Sequence, residues 1–413
     1  MKQRPFLELA RPEHAYEVIG GFASLGSEWI DCRRAFGRVA AGKVRAAENV
    51  PDFARSNMDG FALRASDTTA ASEHEAVLLR VAGQVEMGKP ATVAVEAEHA
   101  VRVSTGAMMP PGADAVVMVE KTEDVGDGRV AVRDACVAGQ NTIRIGEDLR
   151  EGDLVFDVGR RFKGGDVGAL TGSGHATVEV YRTPRVGIMA TGDEIVEPGE
   201  PLGPGQVRNV NEYVLVSMAT DLGVVVNDYG VVGDDERELG DALARAVSEN
   251  DAVFISGGSS KGHRDLTRSA IEDLGDGEVL LHGIAIAPGK PTIIARTSDT
   301  AIMGLPGNPA AAAVVFKLFG STLVRVIGGE PLERILTTRA SARARLAEAL
   351  TSTPGREDYI RARLEAGSPL PSAVPLRGKS AAISTLARAD GLIRVPLSSE
   401  GLEAGSEIDV ILL

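Results

Sequence analysis

The sequence predicts a multidomain protein that combines an α/β domain, built on a mostly parallel sheet, with β-rich domains. Its 413 residues exceed one ordinary domain, because domains usually span about 100–200 residues. Strands and helices alternate regularly over residues 185–327, which is the pattern of βαβ units. Short Val-rich segments, broken by Gly and Pro, fill residues 44–182 and return after residue 331. Such segments are typical of β-rich domains.

The individual elements follow from the hydrophobic pattern in chain order. Two amphipathic helices are expected first, over residues 12–25 and 28–41. Continuous apolar runs then predict buried strands, and Leu, Val or Ala recurring on one face predicts helices. The expected strands of the α/β region cover residues 185–190, 224–232, 251–256 and 301–305, and the expected helices cover residues 211–222, 235–249, 265–274 and 309–327.

The composition is that of a globular protein and narrows the classes of partner. Apolar residues make up 44% and charged residues 25% of the chain, so wholesale disorder is excluded. The net charge of −14 disfavours nucleic-acid binding as the main role, since that role needs a basic face. Cys32 and Cys136 match no metal-binding spacing, and a disulfide framework is not expected.

The sequence shows no targeting or membrane signal. The start of the chain lacks an apolar signal segment. No apolar run approaches the roughly 20 residues that cross a bilayer. We therefore interpret the chain as a soluble cytoplasmic protein.

Loops after two predicted strands are the first candidates for a site, because ligands of open α/β sheets bind beyond the carboxyl ends of the strands. One loop reads Thr-Gly-Asp-Glu and places the Glu194 carboxylate at the sheet edge. The other runs from Ser256 to Asp265 and contains three glycines, Lys261 and Arg264. Its backbone N–H groups could converge on an anion. A flexible loop in which Asp265 caps the next helix explains the same sequence equally well.

A third strand is followed by Gly-Leu-Pro-Gly-Asn-Pro, in which Asn308 can cap a helix that begins at Pro309. Helix capping alone explains this loop. The nearby Pro-Gly-Lys-Pro turn presents Lys290, which taken alone would be an ordinary solvated lysine.

Two further segments outside the sheet place acidic residues in turns. Residues 56–62 set polar side chains between Phe53 and Phe61, and residues 144–148 form a charged turn. Taken alone, each is more often a solvated loop than a site.

Together these segments resemble the molybdopterin molybdenumtransferase family, which includes MoeA and the E domain of gephyrin. The resemblance covers nearly the whole chain, from about residue 11 onward, and its motifs occur in fixed order. They are Ser-Asn-Met-Asp-Gly-Phe-Ala at 56–62, Arg-Ile-Gly-Glu-Asp at 144–148, Thr-Gly-Asp-Glu at 191–194, Ser-Gly-Gly at 256–258, Pro-Gly-Lys-Pro at 288–291 and Gly-Leu-Pro-Gly-Asn-Pro at 304–309.

The resemblance implies an elongated homodimer with four domains in each subunit. Residues 1–48 and 144–182 would form a discontinuous N-terminal domain, and residues 49–143 an inserted β-rich lobe. Residues 183–328 would form a three-layer α/β molybdopterin-binding domain with a parallel-rich sheet. Residues 329–413 would form a C-terminal β-barrel.

The resemblance also implies a reaction, in which adenylylated molybdopterin and molybdate give the molybdenum cofactor and AMP with the help of Mg²⁺. Carboxylates do not bind these anions directly, but they hold Mg²⁺, which prefers oxygen ligands and bridges to phosphates. Asp234 also resembles a plain cap of the helix that follows it. The positions that resemble the acidic active-site set of the family are Asp59, Asp148, Glu194, Asp234 and Asp265, of which Glu194, Asp234 and Asp265 are the candidate metal ligands.

Substrate binding is assigned by the same resemblance. The Ser-Gly-Gly motif would cradle the nucleotide phosphates, and Lys290 would neutralise them. Arg356 and Ser380 resemble positions that approach the cleft, with the partner subunit as one source; a solvated surface arginine is the other explanation of Arg356. The candidate substrate-binding residues are Ser56, Thr191, Gly192, Ser256, Gly257, Gly258, Lys261, Arg264, Lys290, Pro306, Asn308, Arg356 and Ser380.

The sequence departs from the family pattern just before the Pro-Gly-Lys-Pro turn. Some family members carry two further lysines there, and this chain has Gly283 and Ala287. Lys261 and Arg264 in the neighbouring loop are hypothesised to compensate for the missing charge. The departure leaves both molybdate and tungstate open as the oxyanion.

Two other functions are compatible with parts of the pattern. A molybdopterin adenylyltransferase would share the α/β domain, but it would have a Thr-Gly-Gly-Thr-Gly-like loop and none of the flanking domains. A non-catalytic scaffold would share the fold, but it has no reason to concentrate five carboxylates. Metal insertion is therefore the favoured function, with the adenylyltransferase and apo-molybdoenzymes as candidate protein partners.

Overall fold

The computed structural model describes residues 9–257 and 263–413, with the side chains of residues 263–265 outside that description. Its centre is a six-stranded sheet in which four neighbouring strands are parallel and the last two are antiparallel. The predicted α/β fold with a parallel-rich sheet is confirmed. In spatial order, the strands are Val225–Val232, Arg185–Thr191, Ala252–Gly257, Ala301–Leu305, Ile293–Arg296 and Glu278–His282.

Helices cover both faces of this sheet and complete a three-layer domain. Asn211–Asp221 and the long helical segment Pro309–Ile327 bury apolar side chains against one face. Glu236–Glu249 and His263–Glu272 cover the other face. Each face has its own aliphatic core, as expected for strands that are apolar on both sides.

The segment Pro309–Ile327 consists of the α-helices Pro309–Val315 and Ser321–Ile327, joined by a π-helical turn at Phe316–Gly320. By length and composition alone this helix could cross a membrane, since it has 19 residues and a mean hydropathy of 1.7. The prediction that no apolar run approaches spanning length is therefore wrong. The helix is apolar because it is a core helix, with 83% of its span buried inside the protein.

The chain before the α/β domain forms a second six-stranded sheet, which is mostly antiparallel. Separate apolar clusters pack on its two sides. Three 3₁₀ turns lie in this part of the chain, Cys32–Arg34, Ala65–Thr68 and Val119–Lys121. In spatial order, the strands are Ala115–Met118, Gly60–Leu63, His99–Val103, Val77–Gln84, Arg129–Val132 and Thr122–Gly126.

Segments on either side of this sheet pack together around one small core, which also contains the helix Gly164–Gly172. Strand Ser27–Asp31 pairs with Thr177–Tyr181, and Val44–Arg45 pairs with Leu154–Phe156. The predicted helix over residues 28–41 is therefore wrong. Pairing with a strand about 150 residues away decides the local conformation there, because tertiary contacts override helix propensity.

The first helix is shorter than predicted and spans Pro12–Gly20. Its buried residues Ala15 and Ile19 pack into the core of the α/β domain, not into the small core of the flanking segments. Cys32 and Cys136 are free thiols buried in two different cores.

The C-terminal part of the chain forms a closed five-stranded barrel, as predicted. A parallel pairing of Ile286–Ala287 with residues 357 and 358 joins the α/β domain to the barrel, and two short helices, Leu332–Thr337 and Ile383–Ala387, flank it. In closing order, the barrel strands are Glu357–Glu365, Ser372–Pro375, Ser341–Leu346, Glu407–Leu412 and Gly391–Val395.

Short two-stranded pairings complete the described structure and fix the loops that carry the predicted motifs. They join Arg55–Ser56 to Thr142–Ile143, Ile195–Val196 to Val207–Arg208, and Leu350–Thr351 to Gly401–Leu402.

Candidate functional site

A first cavity of about 490 Å³ lies beyond the carboxyl ends of the strands Arg185–Thr191 and Ala252–Gly257. The helices that begin at Asn211 and Pro309 border it. The structure thus gathers predicted residues at the sheet edge where α/β domains bind ligands. Those that line this cavity are Thr191, Glu194, Ser256, Gly257 and Asn308.

The hydroxyl of Ser256 is tied into the wall of the first cavity. Ser256 is 1% exposed, and its Oγ accepts a hydrogen bond of 2.6 Å from the side-chain amide of Asn211. The same amide donates to the backbone oxygen of Gly307 at 2.8 Å. One asparagine therefore fixes the relative position of two loops that were predicted independently.

Glu194 reaches the first cavity through a tight turn at Gly192. A Cβ atom on Gly192, whose φ is 150°, would lie 2.7 Å from Oε2 of Glu194, so glycine allows the carboxylate to lie against the turn. Within the described part of the chain, this carboxylate accepts no hydrogen bond and forms no ion pair. It is therefore available to a cation or to a donor on a ligand.

Asp234 lies at the end of a neighbouring strand and is held by Asp193. The backbone N–H of Asp193 donates to Oδ2 of Asp234 at 3.3 Å, and the N–H of Asp234 donates to Oδ1 of Asp193 at 3.0 Å. The cap of the following helix is Asp235, whose Oδ1 accepts from the N–H groups of Arg237 and Glu238. The alternative explanation of Asp234 as the helix cap is therefore wrong.

Other predicted residues of this region lie outside the described structure. Gly258 and Lys261 are among the residues that it leaves out, and Arg264 and Asp265 lie in the helix His263–Glu272 without described side chains. Their assignment to phosphate or metal binding stays a prediction. Among the side chains that are described, no three Asp, Glu, His or Cys residues come together as a metal site.

A second cavity of about 430 Å³ adjoins the first and combines residues of the α/β domain and the barrel. Lys290 forms no ion pair with any described residue. Arg356 donates from Nε to Asp358 at 2.8 Å, and its side chain is 45% exposed. The two cations lie on the same cavity in one subunit. The predicted residues that line it are Lys290, Pro306, Asn308, Arg356 and Ser380.

The turn that presents Lys290 is closely packed. Gly289 has a φ of 121°, and a Cβ atom there would lie 2.5 Å from Cγ2 of Val315 and 2.7 Å from Cδ1 of Ile286. The hydroxyl of Thr292 donates to the Gly289 oxygen at 2.7 Å. Close packing and this hydrogen bond hold the backbone under Lys290 in one position.

Asn308 lies between the two cavities and lines both of them. It occupies the cap position of the helix that begins at Pro309, where its backbone oxygen accepts from the N–H groups of Ala311 and Ala312. Its side chain makes no capping hydrogen bond. Asn308 is therefore the cap of this helix, as predicted, but it caps the helix through its backbone and not through its side chain.

The positions where some family members carry lysine differ from each other in this structure. Ala287 lines the second cavity, whereas Gly283 is not part of its lining. The side chains proposed to compensate, those of Lys261 and Arg264, lie outside the described residues.

Five of the predicted residues that the structure describes line neither cavity: Ser56, Asp59, Asp148, Gly192 and Asp234. Ser56 is 1% exposed. Its hydroxyl donates to the backbone oxygen of Met58 and accepts from the backbone N–H of Met58. Oδ1 of Asp59 accepts from the N–H of Thr105 at 2.7 Å and from its hydroxyl at 3.1 Å. The pairing of Arg55–Ser56 with Thr142–Ile143 joins the start of the first motif to the residues just before the second. Asp59 and Asp148 are both exposed.

The sequence prediction missed a buried polar group beside the first cavity. Asn209 lines the cavity, and its Nδ2 donates to Glu212 at 2.7 Å and to Glu197 at 2.8 Å. Burial raises the pKa of Glu212 to about 7; the Asn209 hydrogen bond lowers it, while Asp228 and Glu197 add to the rise. The sequence signal for this polar group is the pair Asn209 and Asn211 at the start of a helix. Asparagine at such a position is also usual as a helix cap, so the signal is not specific.

Three family models together match most of the chain. The MoeA N-terminal region (domain I and II) matches residues 10–174, the probable molybdopterin binding domain matches residues 187–325, and the MoeA C-terminal region (domain IV) matches residues 343–413. A molybdopterin molybdenumtransferase of Bacillus subtilis is 32% identical over 393 residues, which is 94% of this chain and 90% of that protein.

The chain belongs to the MoeA family. A molybdopterin molybdenumtransferase of Haemophilus influenzae is 36% identical over 304 residues, covering 74% of each chain. The crystal structure of a molybdopterin biosynthesis MoeA protein from Pyrococcus horikoshii superposes with a TM-score of 0.79 at 35% identity, covering 98% of this chain and 99% of that one.

Membership in the MoeA family places both cavities in matched regions. The first cavity is built mainly by the probable molybdopterin binding domain, and the second adds residues of the MoeA C-terminal region. Asp59 and Asp148 lie in the matched MoeA N-terminal region. Each of the three matched regions therefore contributes predicted site residues.

Proposed function

We propose that this protein is the transferase of molybdenum cofactor biosynthesis that inserts molybdate into adenylylated molybdopterin and releases AMP. The observation that carries the proposal is the pair of adjoining cavities that share Asn308. One cavity offers hydroxyl and amide groups at strand ends, and the other offers two cations. An organic substrate and a small oxyanion would thus meet at one side chain.

The first cavity suits the pterin and the phosphates of the organic substrate. Its volume of about 490 Å³ falls in the usual range for small-molecule sites. Thr191 and Ser256 supply hydroxyl groups, and the glycines that follow Ser256 would offer backbone N–H groups to phosphate. The contribution of Gly258, Lys261 and Arg264 to this cradle is part of the proposal.

The second cavity suits molybdate or the nearly isosteric tungstate. Lys290 and Arg356 carry positive charge on a protein whose net charge is −14. Local charge of this kind is needed, because a dianion approaching a phosphorylated substrate meets Coulomb repulsion. Ser380 adds a hydroxyl to the same wall. We propose that this wall binds the oxyanion beside the pterin.

Mg²⁺ fits the residues that are described. In proteins Mg²⁺ is usually held by one or two carboxylates together with water and substrate phosphates. Glu194 supplies a carboxylate on the first cavity, and Asp234 supplies another at the same edge of the sheet. Asp265 is the third proposed ligand. The bound cation would screen the charge of the phosphates, while Lys290 and Arg356 would hold the oxyanion.

A homodimer is part of the proposal, because one subunit does not gather all five predicted carboxylates at the cavities. Asp59 and Asp148 are exposed and line neither cavity. We propose that these two carboxylates face the cavities of the partner subunit. Arg356 and Ser380, for which a partner origin was one prediction, instead lie with Lys290 in the same subunit.

A cytoplasmic location also belongs to the proposal. Cys32 and Cys136 are free, buried thiols, which suits a reducing compartment. The adenylyltransferase that makes the organic substrate and the apo-enzymes that receive the cofactor are the protein partners that such a reaction requires.

The test is release of AMP by the full-length purified protein. Adenylylated molybdopterin and Mg²⁺ are supplied with molybdate, with tungstate or with no oxyanion, and AMP is quantified by chromatography. AMP release that depends on the oxyanion is expected, and the two oxyanion arms rank molybdate and tungstate. Release at the same rate without an oxyanion, or no release in any arm, would contradict the proposal, and the second result would favour a scaffold.

A further inference from the structure

Two buried amide oxygens of the first cavity have no hydrogen-bond partner among the residues that the structure describes. They are the Oδ1 atoms of Asn209 and Asn211, residues that are 3% and 8% exposed and that both line this cavity. Buried polar atoms are nearly always hydrogen-bonded, so an exception calls for a specific cause. Two acceptors without partners on one cavity indicate that a ligand of this cavity supplies the missing donors.

The orientation of both amides is fixed by their amino groups. Nδ2 of Asn211 donates to the carbonyl oxygen of Gly307 at 2.8 Å and to Ser256 at 2.6 Å. A carbonyl oxygen cannot donate, so turning this amide over would set two acceptors against each other. The Oδ1 atom is therefore the one left for another partner.

Asn209 is fixed in the same way by two carboxylates. Its Nδ2 donates to Oε2 of Glu212 at 2.7 Å and to Oε1 of Glu197 at 2.8 Å. Tyr213 donates its hydroxyl to the other oxygen of Glu197 at 3.1 Å, which holds that carboxylate in place. Glu197 and Glu212 are thus positioning residues for the Asn209 amide.

Two fixed acceptors on one cavity select for a ligand edge that presents N–H groups. A pterin carries two adjacent donors, the ring N3–H and the exocyclic 2-amino group, on its pyrimidine edge. We propose that Asn209 and Asn211 are specificity-determining residues whose Oδ1 atoms accept hydrogen bonds from this edge of the pterin. The inference rests on the proposed function, because it takes a pterin as the ligand of the first cavity.

Pterin and lumazine provide a direct test on the full-length wild-type protein. Lumazine has an oxo group where pterin has the 2-amino group, so it replaces a donor with an acceptor and keeps the bicyclic shape. Dissociation constants of both probes are measured by calorimetry or ligand-observed NMR. Pterin is expected to bind about tenfold or more tightly than lumazine, the usual effect of leaving a buried acceptor unpaired. Equal affinities, or no measurable pterin binding at millimolar concentration, would overturn the inference.

Variants separate recognition from packing. In whichever of Asn211→Ala and Asn209→Ala removes the acceptor of the 2-amino group, the ratio of the two dissociation constants should fall toward one. The variant that removes the acceptor of N3–H should weaken both probes alike, because lumazine keeps that donor. Asn227→Ala is the matched control, because the Asn227 amide donates to Asn250 and does not line the cavity. A ratio that persists in both cavity variants would overturn the inference, and so would a ratio lost equally in the control.

The outcome is distinguishable from failure of the proposed function. A wild-type protein that releases AMP on addition of molybdate but does not prefer pterin would retain the function and refute the role of the asparagines. A protein that prefers pterin but releases no AMP would retain pterin recognition and lose the proposed reaction.

Discussion

At the scale of single residues, Lys290 is the side chain whose charge bears most directly on the proposed binding of the oxyanion. It lines the second cavity and forms no ion pair within the described structure. In Lys290→Met the apolar stem remains and the charge is lost. The KM for molybdate should rise by about tenfold, as expected when a charged hydrogen bond is removed. The measurement is AMP release over a series of molybdate concentrations.

The control for this substitution is Lys89→Met. Lys89 is also exposed, at 66% of its side chain, and pairs with Glu86 in the inserted lobe. Its substitution should leave the KM for molybdate unchanged. An unchanged KM in Lys290→Met as well would remove Lys290 from oxyanion binding.

Glu212 predicts a pH dependence of stability. Burial raises its pKa to about 7 from 4.5, so the folded state holds the proton more tightly than the unfolded state. The contribution of Glu212 to stability therefore falls as the pH rises from about 4.5 to about 7. A glutamine at position 212 does not ionise, so the variant lacks this pH dependence of stability. The stability of Glu212→Gln relative to wild type should increase by about 1–3 kcal/mol between pH 5 and pH 8.

Unfolding by urea at the two pH values measures this change. Glu249→Gln is the control, since the Glu249 carboxylate also accepts a side-chain hydrogen bond, from Tyr229, but lies at the surface. If the difference between Glu212→Gln and wild type were the same at pH 5 and pH 8, Glu212 would be ionised at both values.

Side chains at the ends of sequential strands were the part of the site that the sequence could predict. Thr191, Glu194, Ser256 and Asn308 come together because parallel strands end at one edge. The role of Asn209 was not predictable in this way. Its significance depends on burial and on two carboxylates, Glu197 and Glu212, which only the folded chain brings to it.

At the scale of elements, the Pro-Gly-Lys-Pro turn should tolerate no side chain at its glycine. In Gly289→Ala the added Cβ atom would lie 2.5 Å from Val315 and 2.7 Å from Ile286 at a φ of 121°. Strain and overpacking should destabilise the protein by about 2–4 kcal/mol. Displacement of the turn should also raise the KM for molybdate. Thermal unfolding and AMP release measure the two effects.

Gly88→Ala separates the cost of backbone conformation from that of packing. Gly88 has a φ of 72°, and no atom lies within 4 Å of the position of an added Cβ. Gly88→Ala should lower the free energy of unfolding by about 1 kcal/mol. It should leave the affinity for molybdate unchanged. An equal loss of stability in both variants would mean that the turn is not tightly packed.

The α/β elements were predictable because each carries its own periodicity. The strand Ala301–Leu305 and the helical segment Pro309–Ile327 have the predicted bounds. The strand Ser27–Asp31 was mistaken for part of a helix. Its pairing with Thr177–Tyr181 is a long-range contact that leaves little trace in the local sequence.

At the scale of the whole molecule, the proposed dimer predicts that two variants, each impaired at a molybdate concentration below the KM, can restore activity together. Asp59→Asn removes an exposed charge and keeps the acceptor for Thr105. Lys290→Met alters the second cavity. After subunit exchange, a mixed dimer would hold one site with both native residues. An equal mixture should regain roughly a quarter of the wild-type rate.

Each variant incubated alone is the control, and AMP release before and after exchange is the measurement. Both variants should keep the wild-type melting temperature within about 2 °C. A mixture that is no more active than the average of its components would show that Asp59 and Lys290 serve the same subunit.

The barrel is joined to the α/β domain at the second cavity itself. Ile286–Ala287 pairs with Glu357 and Asp358, and the backbone N–H of Glu357 donates to Ala285 at 2.9 Å. Lys290 and Arg356 lie next to these paired segments. Recombination between relatives could therefore replace the barrel only where the residues on both sides of this pairing still fit each other. The pairing makes the barrel a part of the proposed oxyanion site, and chimaeric proteins with a mismatched barrel should fold and yet bind the oxyanion poorly.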